Sequence, residues 1–165
     1  LSLSNTVGGA IFHDGNLLPG DAFRCGEAGH MTLIPDGKPC YCGKTGCVDA
    51  YCSARLLSDL SGGRLEDFFL GLQQNNPDYR SVWDTYLKHL AVVINNLHMI
   101  LDYDIVLGGY VGSFLSPWLD TIRRLVAERN TFDDDGSFVK LCAYQTGAAA
   151  YGAAMDVMEE FLRTV

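Results

Sequence analysis

Basic residues are scarce in this chain: 12 Lys and Arg stand against 20 Asp and Glu, a net charge of −8. Gripping a polyanion takes a clustered Lys/Arg surface, and twelve scattered cations do not provide one. No contact with nucleic acid is therefore expected through these residues. Long apolar runs are missing too, so no membrane span is expected. The opening residues 1–12 lack the basic stretch that heads a secretory signal. Repeats and low-complexity tracts are also absent. What these absences leave is a folded chain of 165 residues, 48% apolar. That is enough to bury a real core in one domain or a large part of one, and a reducing cytoplasm suits it.

What is present is concentrated in one run, GEAGHMTLIPDGKPCYCGKTGC, which holds His30, Cys40, Cys42 and Cys47. A C-x-C pair, a third Cys a helical turn later and an upstream His form a tetrahedral zinc set. A disulfide framework is the alternative, but Cys40 and Cys42 are too near in sequence to bridge each other without severe strain. Three ordinary buried thiols fit poorly, because Gly37, Pro39, Gly43 and Gly46 make this stretch a loop. Cys25, Cys52 and Cys142 lack such spacing and read as free core thiols. The acidic run Asp133, Asp134, Asp135, Gly136 lacks the further ligands of a calcium loop and reads as a solvated turn.

Leu1 and Leu3 alternate with Ser2 and Ser4, strand character resumes over residues 8–12, and His13-Asp14-Gly15-Asn16 offers a hairpin turn. A chain that opens on a strand without lead-in residues is expected to continue upstream. Residues 19–46 read as loop with a short strand at 30–34. Residues 48–60 read as two short helices parted near Ser53, and residues 65–73 as a further helix stopped by Asn75-Asn76-Pro77. Trp83, Tyr86, Leu87, Leu90, Val93, Ile94, Leu97, Ile100 and Leu101 recur at three- and four-residue steps, which predicts one long helix packed along a core. Ile105-Val106-Leu107 reads as a buried parallel strand closed by Gly108-Gly109, followed by a helix over residues 116–127 with Pro117 in its first turn. A strand at 138–143 and a helix at 147–162 complete an α/β pattern.

The string GEAGH, the spacing to Cys40 and the run CYCGKTGCVD resemble the signature of the ROK family, which comprises bacterial sugar kinases and sugar-responsive transcriptional repressors. LSLSNTVGGAI before it, IVLGGYV after the long helix and TGAAAYGAA near the end agree in order. The resemblance implies an actin-like ATPase, ribonuclease-H-like fold, with residues 1–165 forming the C-terminal sugar- and zinc-binding part. An N-terminal lobe and any DNA-binding head would lie outside this chain. It also implies a bacterial cytoplasmic protein that pairs as a homodimer.

Carried over residue by residue, the resemblance makes Glu27, His30 and Asp49 sugar contacts. His30 would hold zinc with one ring nitrogen and turn the other, necessarily N–H, toward a sugar hydroxyl. Asp49 stands where the family usually has Glu, and losing one methylene draws its carboxylate back by about 1.5 Å. Capping or dipole pairing at the start of the helix is its other reading. Ser4, Asn5, Thr6, Gly8 and Gly9 fall on the kinase phosphate loop, where two of the usual glycines have become Ser and Thr. Gly108 and Gly109 fall beside the nucleotide, as do the small residues 148–154. For these the plainer reading is a turn and a close-packing helix face. The family's catalytic aspartate and N-terminal phosphate loop match nothing in this chain, so by itself it is not expected to phosphorylate a sugar. The degraded glycine loop points first to the sugar-sensing part of a ROK transcriptional regulator, with Zn2+ structural. The alternative is the C-terminal half of a hexose kinase using ATP and Mg2+.

Overall fold

The computed structural model describes residues 1–164. Strands β1 (Ser2–Leu3) and β2 (Val7–Gly8) pair antiparallel, and β5 (Ile105–Leu107) and β6 (Val139–Leu141) pair parallel. Backbone bonds from Leu3 N to Gly108 O at 2.8 Å and from Gly108 N to Leu1 O at 2.9 Å stitch β1 alongside β5. The order across the layer is thus β2, β1, β5, β6. A separate hairpin, β3 (Phe12–His13) and β4 (Asn16–Leu17), turns through Asp14 and Gly15, both at positive φ, as the Asp-Gly pair predicts.

Helices α1 (Asp49–Cys52) and α2 (Arg55–Ser58) are the two short pieces expected on either side of Ser53. Next come α3 (Leu65–Gln73) and α4 (Pro77–Leu101). Asn76 starts α4 by accepting from the backbone of Asp78 and Tyr79, with Pro77 in the first turn, where its missing N–H costs nothing. The expected stripe from Trp83 to Ile94 is buried. It fails at its end, where Ile100 is 79% exposed because α4 overruns the core that covers the earlier turns.

Between β5 and β6 the chain forms α5 (Gly109–Gly112), a 3-10 turn at Ser116–Trp118 and α6 (Leu119–Ala127). Proline therefore sits in the 3-10 turn ahead of the helix proper. The core gathers Leu3, Val7, Val48, Leu57, Phe68, Trp83, Leu90, Leu107, Leu115, Ile122 and Val139. Phe69 stacks on Phe114 with centroids 4.2 Å apart, which ties α3 to the β5–α6 connection.

Three expectations need correcting. Residues 30–34 form no strand: Ala28–His30 is a 3-10 turn, and Thr32 makes a single bridge to Cys47 before Pro35 ends the extension. The small face of α7 (Ala148–Thr164) packs on no sheet; its residues are largely exposed, apolar Val157 and Phe161 among them. Cys52 is a core thiol as expected, but Cys25 and Cys142 are only half-buried. The acidic turn is a turn: Asp135 accepts from Ser137 N, and Asp133 Oδ2 lies 3.1 Å from His98 Nε2.

Gly109 carries the junction of β1 and β5. Its φ is +80°, and a Cβ there would lie 2.6 Å from Ser4 Oγ and 2.7 Å from Leu3 N. Gly109→Ala is expected to destabilise the chain by about 2 kcal/mol or more, the left-handed backbone and the clash acting together. Urea unfolding checks this, and an unchanged midpoint contradicts it.

Candidate functional site

Backbone bonds fold the cysteine run into a knuckle: Cys40 N donates to Lys44 O at 2.8 Å, Gly46 N to Lys38 O at 2.8 Å and Val48 N to Met31 O at 2.9 Å. Gly46 is needed where it is, since a Cβ there would sit 1.9 Å from Ile34 O. The knuckle brings one donor atom each from His30, Cys40, Cys42 and Cys47 within 4.8 Å of one another. All six cysteines are free.

Cys42 Sγ and Cys47 Sγ lie 3.7 Å apart, too far for a disulfide. Zn–S bonds of 2.3 Å in tetrahedral geometry put neighbouring sulfurs about 3.8 Å apart. Three thiols and one imidazole at this spacing fit zinc. Burial pushes the Cys47 thiol up to about 12, and its hydrogen bonds with Cys42 and Cys40 act in the same direction. Cys42 is lowered, first by the backbone at Lys44. The Cys47 thiol thus resists ionising until a cation joins it.

The loop carrying Glu27 and His30 lies against β2. A Cβ on Gly29 would come within 2.0 Å of Val7 O, and one on Gly9 within 2.9 Å of Gly26 O, so these glycines permit the close approach. Asp49, 6% exposed, opens α1 but caps nothing. Its Oδ1 instead accepts from Val7 N at 2.5 Å, which replaces the capping alternative with a tie to β2. Glu27 and His30 are exposed at the surface.

A residue that the sequence reasoning missed joins them. The Tyr41 hydroxyl lies 3.2 Å from His30 Nε2, with the two rings edge to face. Its pKa is raised, first by desolvation, then by Asp49, Cys40, Glu27 and Cys42. Val7 links the three sugar candidates, since its N–H bonds to Asp49 and its carbonyl lies against Gly29 in the turn that carries Glu27 and His30. The available signal for Tyr41 was an aromatic residue in the middle of the C-x-C pair.

On the other side of the β1–β2 turn, Asn5, Ala54, Ser58, Tyr110, Ser113 and Thr146 help line a cavity of about 340 Å³. Ser4 holds the turn in place: its carbonyl accepts from Ala54 N at 2.7 Å and its hydroxyl from Tyr110 N at 3.4 Å. Of the phosphate-loop candidates, Asn5 reaches the cavity wall. Gly9 packs on Gly26, and Gly8 faces open space. Gly108 and Gly109 make the turn that presents Tyr110. Tyr110 and Ser113 follow Gly108-Gly109, and Thr146 opens the TGAAAYGAA segment; that adjacency was their only signal.

The model of the ROK family matches residues 1–160. The chain belongs to the ROK family. An N-acetylmannosamine kinase of Salmonella typhi is 29% identical over 163 residues, which cover 94% of this chain and 54% of that protein. This ROK chain thus spans about half the length of the curated relatives it matches. A ROK family glucokinase from Streptomyces griseus, solved with glucose and AMPPNP, superposes with a TM-score of 0.74 at 22% identity, covering 89% of this chain and 55% of the other. A ROK family transcriptional regulator homologous to the Escherichia coli MLC protein gives 0.69 at 23% identity, covering 85% and 39%. The fold is that of the actin-like ATPases. Among the described residues no helix is long and apolar enough to cross a membrane.

Two outcomes are expected of the ROK site. Cys42→Ser removes one of four donors, and zinc content after purification should fall from about one per chain to well below half, as read by elemental analysis. Equal occupancy would exclude Cys42 as a ligand. Asp49→Ala leaves the Val7 N–H buried without its acceptor and should cost about 1–3 kcal/mol in urea unfolding. Asp49→Asn keeps an oxygen there and should cost less.

Proposed function

We propose that this chain is the C-terminal, sugar- and zinc-binding part of a ROK sugar kinase that transfers phosphate from ATP with Mg2+ to a hexose. An N-acylated hexose such as N-acetylmannosamine, or glucose, is the substrate class. The reading that put a transcriptional regulator first is revised: similarity over nearly the whole chain is to N-acetylmannosamine kinases, and the likeness to a regulator is one of fold alone.

The observation that carries the kinase reading is the cavity beside the β1–β2 turn. Replacing glycines by Ser4 and Thr6 does not close it. The same short turn separates it from the neighbourhood of Glu27, His30 and Asp49, since Asn5 lines the cavity while Val7, two residues on, bonds to Asp49. Two ligands held beside the same short turn suit transfer between them, which is mostly a matter of positioning and charge neutralisation.

In this reading zinc is structural. His30, Cys40, Cys42 and Cys47 hold it, and it fixes which His30 nitrogen remains a donor. Glu27 accepts from sugar hydroxyls, and His30 donates to one. Asn5, in the cavity wall, is the group of this turn offered to the phosphates, while Ser4 holds the turn in place. The catalytic aspartate belongs upstream, as the family resemblance implies, and a homodimer is part of the same reading.

A coupled ADP-release assay on the full-length protein with glucose and N-acetylmannosamine tests the proposal. Turnover with at least one of them is expected, and Glu27→Gln should raise KM about tenfold or more. Sugar-dependent release of DNA without any ADP formation would restore the regulator.

A further inference from the structure

The free edge of His30 already has a partner. Tyr41 Oη sits 3.2 Å from His30 Nε2, at hydrogen-bond distance, and the Tyr41 side chain is 68% exposed. With Nε2 at the phenol, a metal held through Nδ1 would make Nε2 an N–H donor and the phenol oxygen its acceptor. A sugar hydroxyl would be the same kind of acceptor in the same place.

We infer that Tyr41 is a built-in competitor for the sugar, its hydroxyl occupying the hydroxyl subsite on His30 until a sugar displaces it. The inference rests on the sugar-binding reading of Glu27, His30 and Asp49.

Three features carry it. The hydroxyl is not at a remote edge of the site: it lies on His30 itself, 3.2 Å from Nε2, with the two rings packed edge to face. The backbone beneath it is fixed, because Tyr41 lies between Cys40 and Cys42, and Cys40 N and O are both bonded within the knuckle, to Lys44 and Gly43. Only the side chain is free to leave, by rotation into the solvent that already covers most of it. Displacement therefore exchanges one exposed hydrogen bond for another without moving a metal ligand, and it sets a threshold on sugar affinity. A hydroxyl of the wrong orientation, unable to reach Nε2, leaves Tyr41 in place. The residue thus selects among hexoses by the one hydroxyl it imitates.

The test is Tyr41→Phe in the full-length, zinc-loaded protein, read in two ways. Calorimetric titration with glucose and with N-acetylmannosamine should give Kd values about three- to tenfold lower than those of the parent, with zinc content unchanged. Equal or weaker binding overturns the inference. The second reading needs no sugar: the ¹⁵N resonances of the His30 ring should shift between parent and Tyr41→Phe, since the variant removes the acceptor from Nε2. An unchanged His30 spectrum overturns the inference even where no sugar binds. A shifted spectrum in a protein that binds neither sugar upholds the contact, refutes Tyr41 as a competitor and defeats the sugar-binding reading with it.

Discussion

The arrangement of the site depends on one peptide unit of β2. Val7 gives its N–H to Asp49 at 2.5 Å and turns its carbonyl to the bare backbone of Gly29. Those two contacts fix α1 on one side and the Glu27–His30 turn on the other. A buried N–H must find an acceptor, and a carbonyl approached this closely tolerates no Cβ. The carboxylate and the glycine therefore define where the sugar candidates stand before any ligand arrives. The hydrophobic core holds β2 itself, since Val7 and its cross-strand partner Leu3 are both buried in it.

Residues 19–46 contribute little to that core and are mostly exposed. A loop of this length has few ways to become rigid. Here its ordered part is a knuckle of backbone bonds closed by four donors. The first of those donors, His30, is also the outer edge of the sugar candidates. In the proposed reading metal binding and sugar positioning are one constraint, because the ion would anchor the far end of a turn whose near end rests on Val7.

The sequence showed these parts unevenly, for physical reasons. The zinc spacing was legible because donor chemistry and local turns suffice to bring Cys40, Cys42 and Cys47 together. So was α4, since a stripe from Trp83 to Ile94 is a local periodicity, and so was the Asp14-Gly15 turn. The sheet was less legible: its strands are two or three residues long and pair over a hundred positions, as Leu3 does with Gly108. Periodicity also could not tell where the core ends, so Ile100 read as buried, and the small residues of α7 read as a packing face. Tyr41 was missed because an aromatic between two cysteines does not announce that its ring will lie against His30. The glycine loop was the least legible part: the sequence showed two absent glycines, but not that Ser4 ties the turn to Ala54 and Tyr110.

Asp49 has the most specific consequence for the proposed sugar site. A glutamate at this position would have one more methylene, about 1.5 Å of extra reach toward a ligand. The shorter side chain stays back at β2, and one of its oxygens is committed to Val7. At most one oxygen of Asp49 then remains for a hydroxyl, and it acts from deeper in the site, while Glu27 at the exposed rim has the longer reach. A hexose held this way is gripped more firmly at the edge shared by Glu27 and His30 than at the edge facing α1. Discrimination between sugars should therefore concentrate at the hydroxyl nearest His30, and a bulkier substituent, an N-acyl group for instance, is better tolerated toward α1, where the carboxylate has drawn back.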